Sequence, residues 1–148
     1  MKAYLSRRYH FSASHRLHSD EFDEKRNQEV YGKCNNPHGH GHNYIVEITV
    51  TGQVDENTGM VCNLGDLDGF MQGNVISRFD HSNLNLDSYF ENLVPTTENL
   101  CIAIYNLVSA QFTKAALTRI RIEETANNFF EYSGENIEKQ KYSNSRIT

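Results

Sequence analysis

The chain has 148 residues, a formal net charge of −5 and a hydrophobic content of 38%. That length suits one domain with a modest core, which association into an oligomer would reinforce. The Lys and Arg residues form no basic stripe for nucleic acid, no apolar run nears the ~20 residues of a membrane span, and "MKAYLSRRYHF" lacks the apolar stretch of a secretory signal.

In "YLSRRYHFSASH", Tyr9, Phe11, Ala13 and His15 fall on one side of an extended strand. "DEFDEKRN", Asp20 to Asn27, reads as a charged loop. From His42 to Val50 the chain alternates, with Tyr44, Val46, Ile48 and Val50 facing one way and Asn43, Glu47, Thr49 and Thr51 the other. "DENTG", Asp55 to Gly59, predicts a turn into a return strand, "MVCNL", completing a hairpin. Gly65 to Phe79 predicts a helix, because Leu67, Phe70, Met71, Val75 and Phe79 recur at helical spacing. Gly69 and Gly73 each weaken it by ~1 kcal/mol relative to Ala. "PTTEN" signals the start of a second helix, whose apolar stripe is Leu100, Ile104, Leu107, Val108 and Phe112. "TRIRIEE" alternates as a strand, "TANN" turns the chain and "FFEY" returns it. Strands at both ends around adjacent helices predict an α+β fold, an antiparallel sheet with two helices packed on one face. Residues 1–134 form the expected single domain, and the polar segment 135–148 a tail.

The chemistry concentrates in "CNNPHGHGHNY", Cys34 to Tyr44. Residues two apart in an extended chain point the same way, so His40 and His42 project together, in phase with Tyr44. Two adjacent imidazoles chelate zinc, which takes nitrogen at ~2.0–2.1 Å. His15, ending the first strand on the face of Phe11 and Ala13, is the expected third ligand if that strand pairs beside the one carrying His42. Three protein ligands leave a tetrahedral position open, as a catalytic zinc requires. His38 is expected outside the ligand set, and His10 and His18 have no metal role. Cys34 has two readings. It closes the site as a fourth ligand, or it acts as base or nucleophile beside the metal, where positive charge lowers a thiol pKa. The three cysteines, Cys34, Cys62 and Cys101, in a chain without an export signal predict free thiols in a reducing cytoplasm.

With "FSASH", "YGKCNNPHGHGHNY", "FDHSNLN", "TTEN" and "EET" in this order, the chain resembles the 6-pyruvoyltetrahydropterin synthase family from about Tyr9 to Gly134. The resemblance implies a tunnelling fold: a four-stranded antiparallel sheet and two helices per subunit, three subunits closing a barrel, two trimers stacked into a hexamer, and pockets at subunit interfaces. It implies zinc, one per subunit, on His15, His40 and His42, a catalytic cysteine at Cys34, an Asp-His pair at Asp80 and His81, and a pterin-anchoring glutamate at Glu124. Adjacent Asp and His can orient and charge one another. Parity supports the glutamate, since Glu124 shares its face with Ile120 and Ile122 whereas Glu123 shares that of Arg119 and Arg121. A carboxylate on an apolar face needs a partner, and a pterin offers two donors. Thr96 and Thr97 add contacts to the substrate or cap the helix.

The implied reaction converts 7,8-dihydroneopterin triphosphate to 6-pyruvoyltetrahydropterin with elimination of triphosphate, for tetrahydrobiopterin biosynthesis. Magnesium can travel with the phosphates, and Arg16, Lys25, Arg26 and Lys33 flank the site as candidate cations. His38 stands where the family often has Asn. Bacterial relatives that make 6-carboxytetrahydropterin, a precursor of queuosine, share the zinc site but usually have a shorter loop before the cysteine and lack "NNP". The longer loop and "CNNP" here favour the pyruvoyl-forming branch. A zinc-stabilised pterin-binding module without turnover is the remaining alternative.

Overall fold

The computed structural model describes residues 1–135, so the expected tail lies outside the described residues but for Glu135. Two long strands, β1 (Lys2–His15) and β2 (His40–Gln53), pair antiparallel along their whole lengths, from Lys2 opposite Gln53 to His15 opposite His40. β4 (Ala116–Thr125) pairs antiparallel with the other edge of β2, and β5 (Asn128–Tyr132) returns beside β4. A two-residue strand, β3 (Ser82–Asn83), adds parallel to β1 at Ala13 and Ser14, giving the order β3-β1-β2-β4-β5. The four antiparallel strands are those the sequence implied, and the short parallel β3 is additional.

The alternation read in β2 decides which face is buried. Tyr44, Val46, Ile48 and Val50 are all fully buried, as are Ile120 and Ile122 from β4, and Phe11 of β1 is nearly so. Helices cover this face. A continuous helical segment runs through α2 (Leu64–Met71), a π turn (Gln72–Ile76) and α3 (Ser77–Phe79), and it buries Leu67, Met71, Val75 and Phe79. The second helix, α4 (Thr97–Gln111), buries Leu100, Cys101, Ala103, Ile104 and Val108. Leu107 of the expected stripe is only partly buried, and Phe112 ends the helix as its cap. At about 25 cal/mol per Å² of apolar surface, this shared layer is the main stabilising term.

Two expectations differ from the structure. "MVCNL" is not a strand: β2 already has β1 on one edge and β4 on the other, so the expected hairpin with β2 has no place for residues 60–62. Asn63 instead caps α2, accepting from the amides of Gly65 and Asp66. The charged segment around 20–27 is not all loop, because α1 (Glu24–Tyr31) begins there with Asp23 accepting from the Arg26 amide. Asn27 is its only buried residue, so no apolar periodicity betrayed it; the Asp23 cap was the available signal.

Candidate metal centre and active site

The β1–β2 register builds the centre. His15 lies opposite His40 and Ala13 opposite His42, so the end of one strand and the start of the next bring three imidazoles together on the helix-covered face. Ring centroids are 4.6 Å apart for His15 and His40, 5.1 Å for His15 and His42, and 4.7 Å for His40 and His42. Gly39 turns the chain into β2 with φ +73°, and a Cβ there would stand 3.0 Å from the His15 carbonyl oxygen, so the close approach requires glycine.

Glu124 joins from β4. It falls where the β4–β5 pairing slips between Glu123 and Thr125, an irregularity that re-aims a side chain. Its Oε2 accepts from Asn128 Nδ2 at 3.1 Å, while Oε1 lies 3.0 Å from His42 Nε2 and 3.8 Å from His15 Nε2. Glu123, by contrast, pairs with Arg121 on the opposite face. One donor atom from each of His15, His40, His42 and Glu124 lies within 4.8 Å of the others, a group that can hold a metal ion.

The donor chemistry fits that role. The Nε2 atoms of His15 and His40 face one another at 2.9 Å. His42 Nε2 is buried with no hydrogen-bond partner despite its proximity to Glu124, because the contact lacks hydrogen-bond geometry. His40 Nδ1 is likewise buried and unpartnered. Burial holds the pKa of His15 and of His42 below the ordinary value, outweighing the Pro95 carbonyl on His15 and the pull of Glu124 on His42, and so favours the neutral imidazole that ligates metal. Three nitrogens and a carboxylate suit zinc.

Cys34 sits in a 3-10 turn (Gly32–Asn35), with its carbonyl accepting from the Leu17 amide at 2.9 Å. Burial, then the charge of Glu124, push its thiol pKa up, and its sulfur is not among the four clustered donors. Asn35 beside it is buried and donates to the Leu17 carbonyl at 2.8 Å, fixing the turn against the end of β1.

Asp80 and His81 lie beyond α3, at the β1 edge. Asp80 Oδ1 accepts from the Ser12 amide at 3.0 Å, and the His81 amide donates to the Ser12 carbonyl at 2.6 Å. His81 has φ 55°, an uncommon backbone region for a non-glycine residue. Its imidazole is 85% exposed and 3.8 Å from Asp80 Oδ1, too far for a hydrogen bond. A shallow cleft of about 480 Å³ runs from His81 along Ser12 and Ser14 to His42. Thr96 caps α4, accepting from the Asn99 amide at 3.2 Å, whereas the buried Thr97 hydroxyl has no hydrogen-bond partner. His38 is exposed and outside the donor group.

Sequence reasoning missed the supports that act through backbone atoms or amides. The Pro95 carbonyl, 2.8 Å from His15 Nδ1, leaves no pattern in spacing, nor does Asn128 on Glu124.

A family model described as 6-pyruvoyl tetrahydropterin synthase matches residues 4–135. The 6-pyruvoyl tetrahydrobiopterin synthase of Homo sapiens is 44% identical over 135 residues, covering 90% of this chain and 93% of its own. The Drosophila melanogaster protein of the same name is 48% identical over 134 residues, covering 89% of this chain and 80% of its own. The solved Caenorhabditis elegans 6-pyruvoyl tetrahydropterin synthase superposes with a TM-score of 0.86 at 39% identity, covering 91% of this chain and 97% of that one.

Proposed function

The chain belongs to the 6-pyruvoyl tetrahydropterin synthase family, and on that premise we propose that it converts 7,8-dihydroneopterin triphosphate to 6-pyruvoyltetrahydropterin with loss of triphosphate. The observation that carries this reading is the His15, His40, His42 and Glu124 cluster at the end of the sheet. His15, His40 and His42 would hold a zinc ion, one per subunit, which would supply Lewis acidity to the substrate's side-chain hydroxyls.

The chain's own residues do the rest. Cys34 takes the C1′ proton as thiolate, a form that burial and Glu124 oppose and that the positive charge of a zinc ion on the histidines would favour. His81, oriented beside Asp80, carries protons to and from the side chain. Glu124 accepts hydrogen bonds from the pterin ring through the oxygen that faces His42, and Asn128 steadies its other oxygen. This fixes which carbon meets the base. The Thr97 hydroxyl, buried beside Tyr44, would add a polar contact for the ring. Thr96 would reach the substrate only with its hydroxyl proton, since that oxygen already accepts from the Asn99 amide and its own amide donates to the Val94 carbonyl. Hydrogen moves internally, so no external redox cofactor takes part; magnesium accompanies the triphosphate.

The assembly we propose is a cytoplasmic hexamer, a dimer of trimers with barrels closed by sheet edges. The outer edge of β1 is paired with β3 only at Ala13 and Ser14, and unpaired edge groups of this kind invite another strand. Within one chain the His81 side chain is 85% exposed, and a neighbouring subunit can cover it. No helix among the described residues is long and apolar enough to cross a membrane.

The testing experiment is incubation with the triphosphate substrate, with and without chelator, following triphosphate release and pterin product. Metal-dependent 6-pyruvoyltetrahydropterin supports the reading. Release of 6-carboxytetrahydropterin, or binding without turnover, overturns it.

A further inference from the structure

His15 is the one histidine of the cluster whose remote ring nitrogen meets a main-chain acceptor, and the residues on either side of that acceptor are bonded by a residue outside the cluster. His15 is 1% exposed, and its Nδ1 lies 2.8 Å from the Pro95 carbonyl oxygen. A carbonyl only accepts, so Nδ1 carries the proton and Nε2 keeps its lone pair toward His40. The buried Tyr44 hydroxyl stands 3.4 Å from the same Nδ1, at the limit of a hydrogen bond. The direction of the Pro95 carbonyl therefore fixes both the tautomer and the tilt of the ring.

Pro95 cannot anchor itself, having no amide hydrogen. Its neighbours do so. The Thr96 amide donates to the Val94 carbonyl at 2.8 Å, closing a tight turn around Pro95. Asn99, in the first turn of α4, donates from Nδ2 to the same Val94 carbonyl at 2.8 Å, and its amide donates to Thr96 Oγ1 at 3.2 Å. Asn99 thus grips both residues that flank Pro95. An ordinary helix cap needs only the second of these bonds; the first stiffens the turn that presents the carbonyl to His15.

We infer that Asn99 is a positioning residue for the metal centre, acting through the Pro95 carbonyl on the tautomer and orientation of His15. The inference rests on reading His15, His40 and His42 as metal ligands. Removing the Asn99 amide frees the turn, lets the carbonyl swing off Nδ1 and allows the His15 proton to move to Nε2, the atom that must be bare to ligate. Outer partners of ligating histidines typically govern affinity by 10–100-fold, so a loss of about tenfold is expected here.

The test measures zinc affinity of the full chain by chelator competition, and the His15 tautomer by nitrogen NMR of the metal-free chain, in wild type, Asn99→Leu and Asn99→Ser. Leu matches the size of Asn without a donor; Ser covers the case in which Leu does not fit. The expected result is an about tenfold or greater loss of zinc affinity in either folded variant, with His15 passing from one tautomer to a mixture. Asn99→Gln, which keeps the amide, recovers part of the affinity. Unchanged affinity in a folded variant that has lost the amide overturns the inference, even if its melting temperature falls, because that is the mark of a helix start and nothing more. A wild-type His15 protonated on Nε2 overturns it without any variant. A wild-type chain that binds no zinc overturns both this inference and the metal reading, whereas zinc binding indifferent to residue 99 overturns this inference alone.

Discussion

Glu124 Oε1 lies 3.0 Å from His42 Nε2, so a carboxylate from the fourth strand meets an imidazole at the start of the second. Its other oxygen is already taken by Asn128. Two roles are open to such a group, ring anchor or metal ligand, and they separate under isosteric substitution.

Glu124→Gln should keep zinc at one per chain and lower kcat/KM by ~10²–10⁴-fold, the equivalent of two charge-assisted hydrogen bonds at ~1.5–3 kcal/mol each. Metal analysis beside steady-state kinetics checks this. Zinc lost together with activity would make Glu124 a ligand and not the anchor.

Cys34→Ala should lower turnover by at least ~10²-fold, the lower end of what a general base contributes, with zinc content unchanged. The sulfur stands outside the four clustered donors, which is the basis for expecting the metal to stay. A variant that folds but carries no zinc would return Cys34 to the role of ligand.

Gly39→Ala should destabilise the chain by ~1–3 kcal/mol, through the left-handed backbone at φ +73° and the contact of a new Cβ with the His15 carbonyl. Because Gly39 leads directly into His40, zinc affinity should fall with it. Urea unfolding and chelator competition on the same samples test both halves; a variant as stable as wild type contradicts the geometry.

Much of this centre was legible in the residues. The period of two in β1 and β2 put His15, His40 and His42 on the apolar face, and the register then had to bring them together because both strands end there. The same parity separated Glu124 from Glu123, which pairs with Arg121. What escaped was of another kind. α1 buries one asparagine and shows no stripe, so it lay below the reach of hydrophobic periodicity. "MVCNL" has strand-like composition, but both edges of β2, its expected hairpin partner, are taken by β1 and β4, and edge occupancy is a property of the whole sheet. Supports such as Pro95 to His15 pass through a main-chain carbonyl that every residue has, so sequence carries no mark of them.

Away from the site, Arg78 holds Asp87 through two hydrogen bonds, at 2.9 and 2.8 Å, and keeps its carboxyl below the usual carboxylate range against the opposing effect of burial. The folded pKa lies below the unfolded one, so the stabilisation is full above the ordinary carboxylate range and is lost as pH falls through the folded value. Arg78 is 37% exposed, which screens the pair and limits it to about 1 kcal/mol. Asp87→Asn should cost that amount at neutral pH, and the gap between variant and wild type should close as both are acidified toward about pH 2. Denaturant melts across that range measure it; a gap that persists in acid would mean the cost is steric.

The decisive measurement is a single-pot incubation of the zinc-loaded chain with 7,8-dihydroneopterin triphosphate, reading triphosphate and pterin product together, repeated on His15→Ala, His40→Ala and His42→Ala. The wild type should give stoichiometric triphosphate and 6-pyruvoyltetrahydropterin, and each variant should lose both product and bound zinc. Full turnover by a folded variant that has lost any one of the three imidazoles would contradict this.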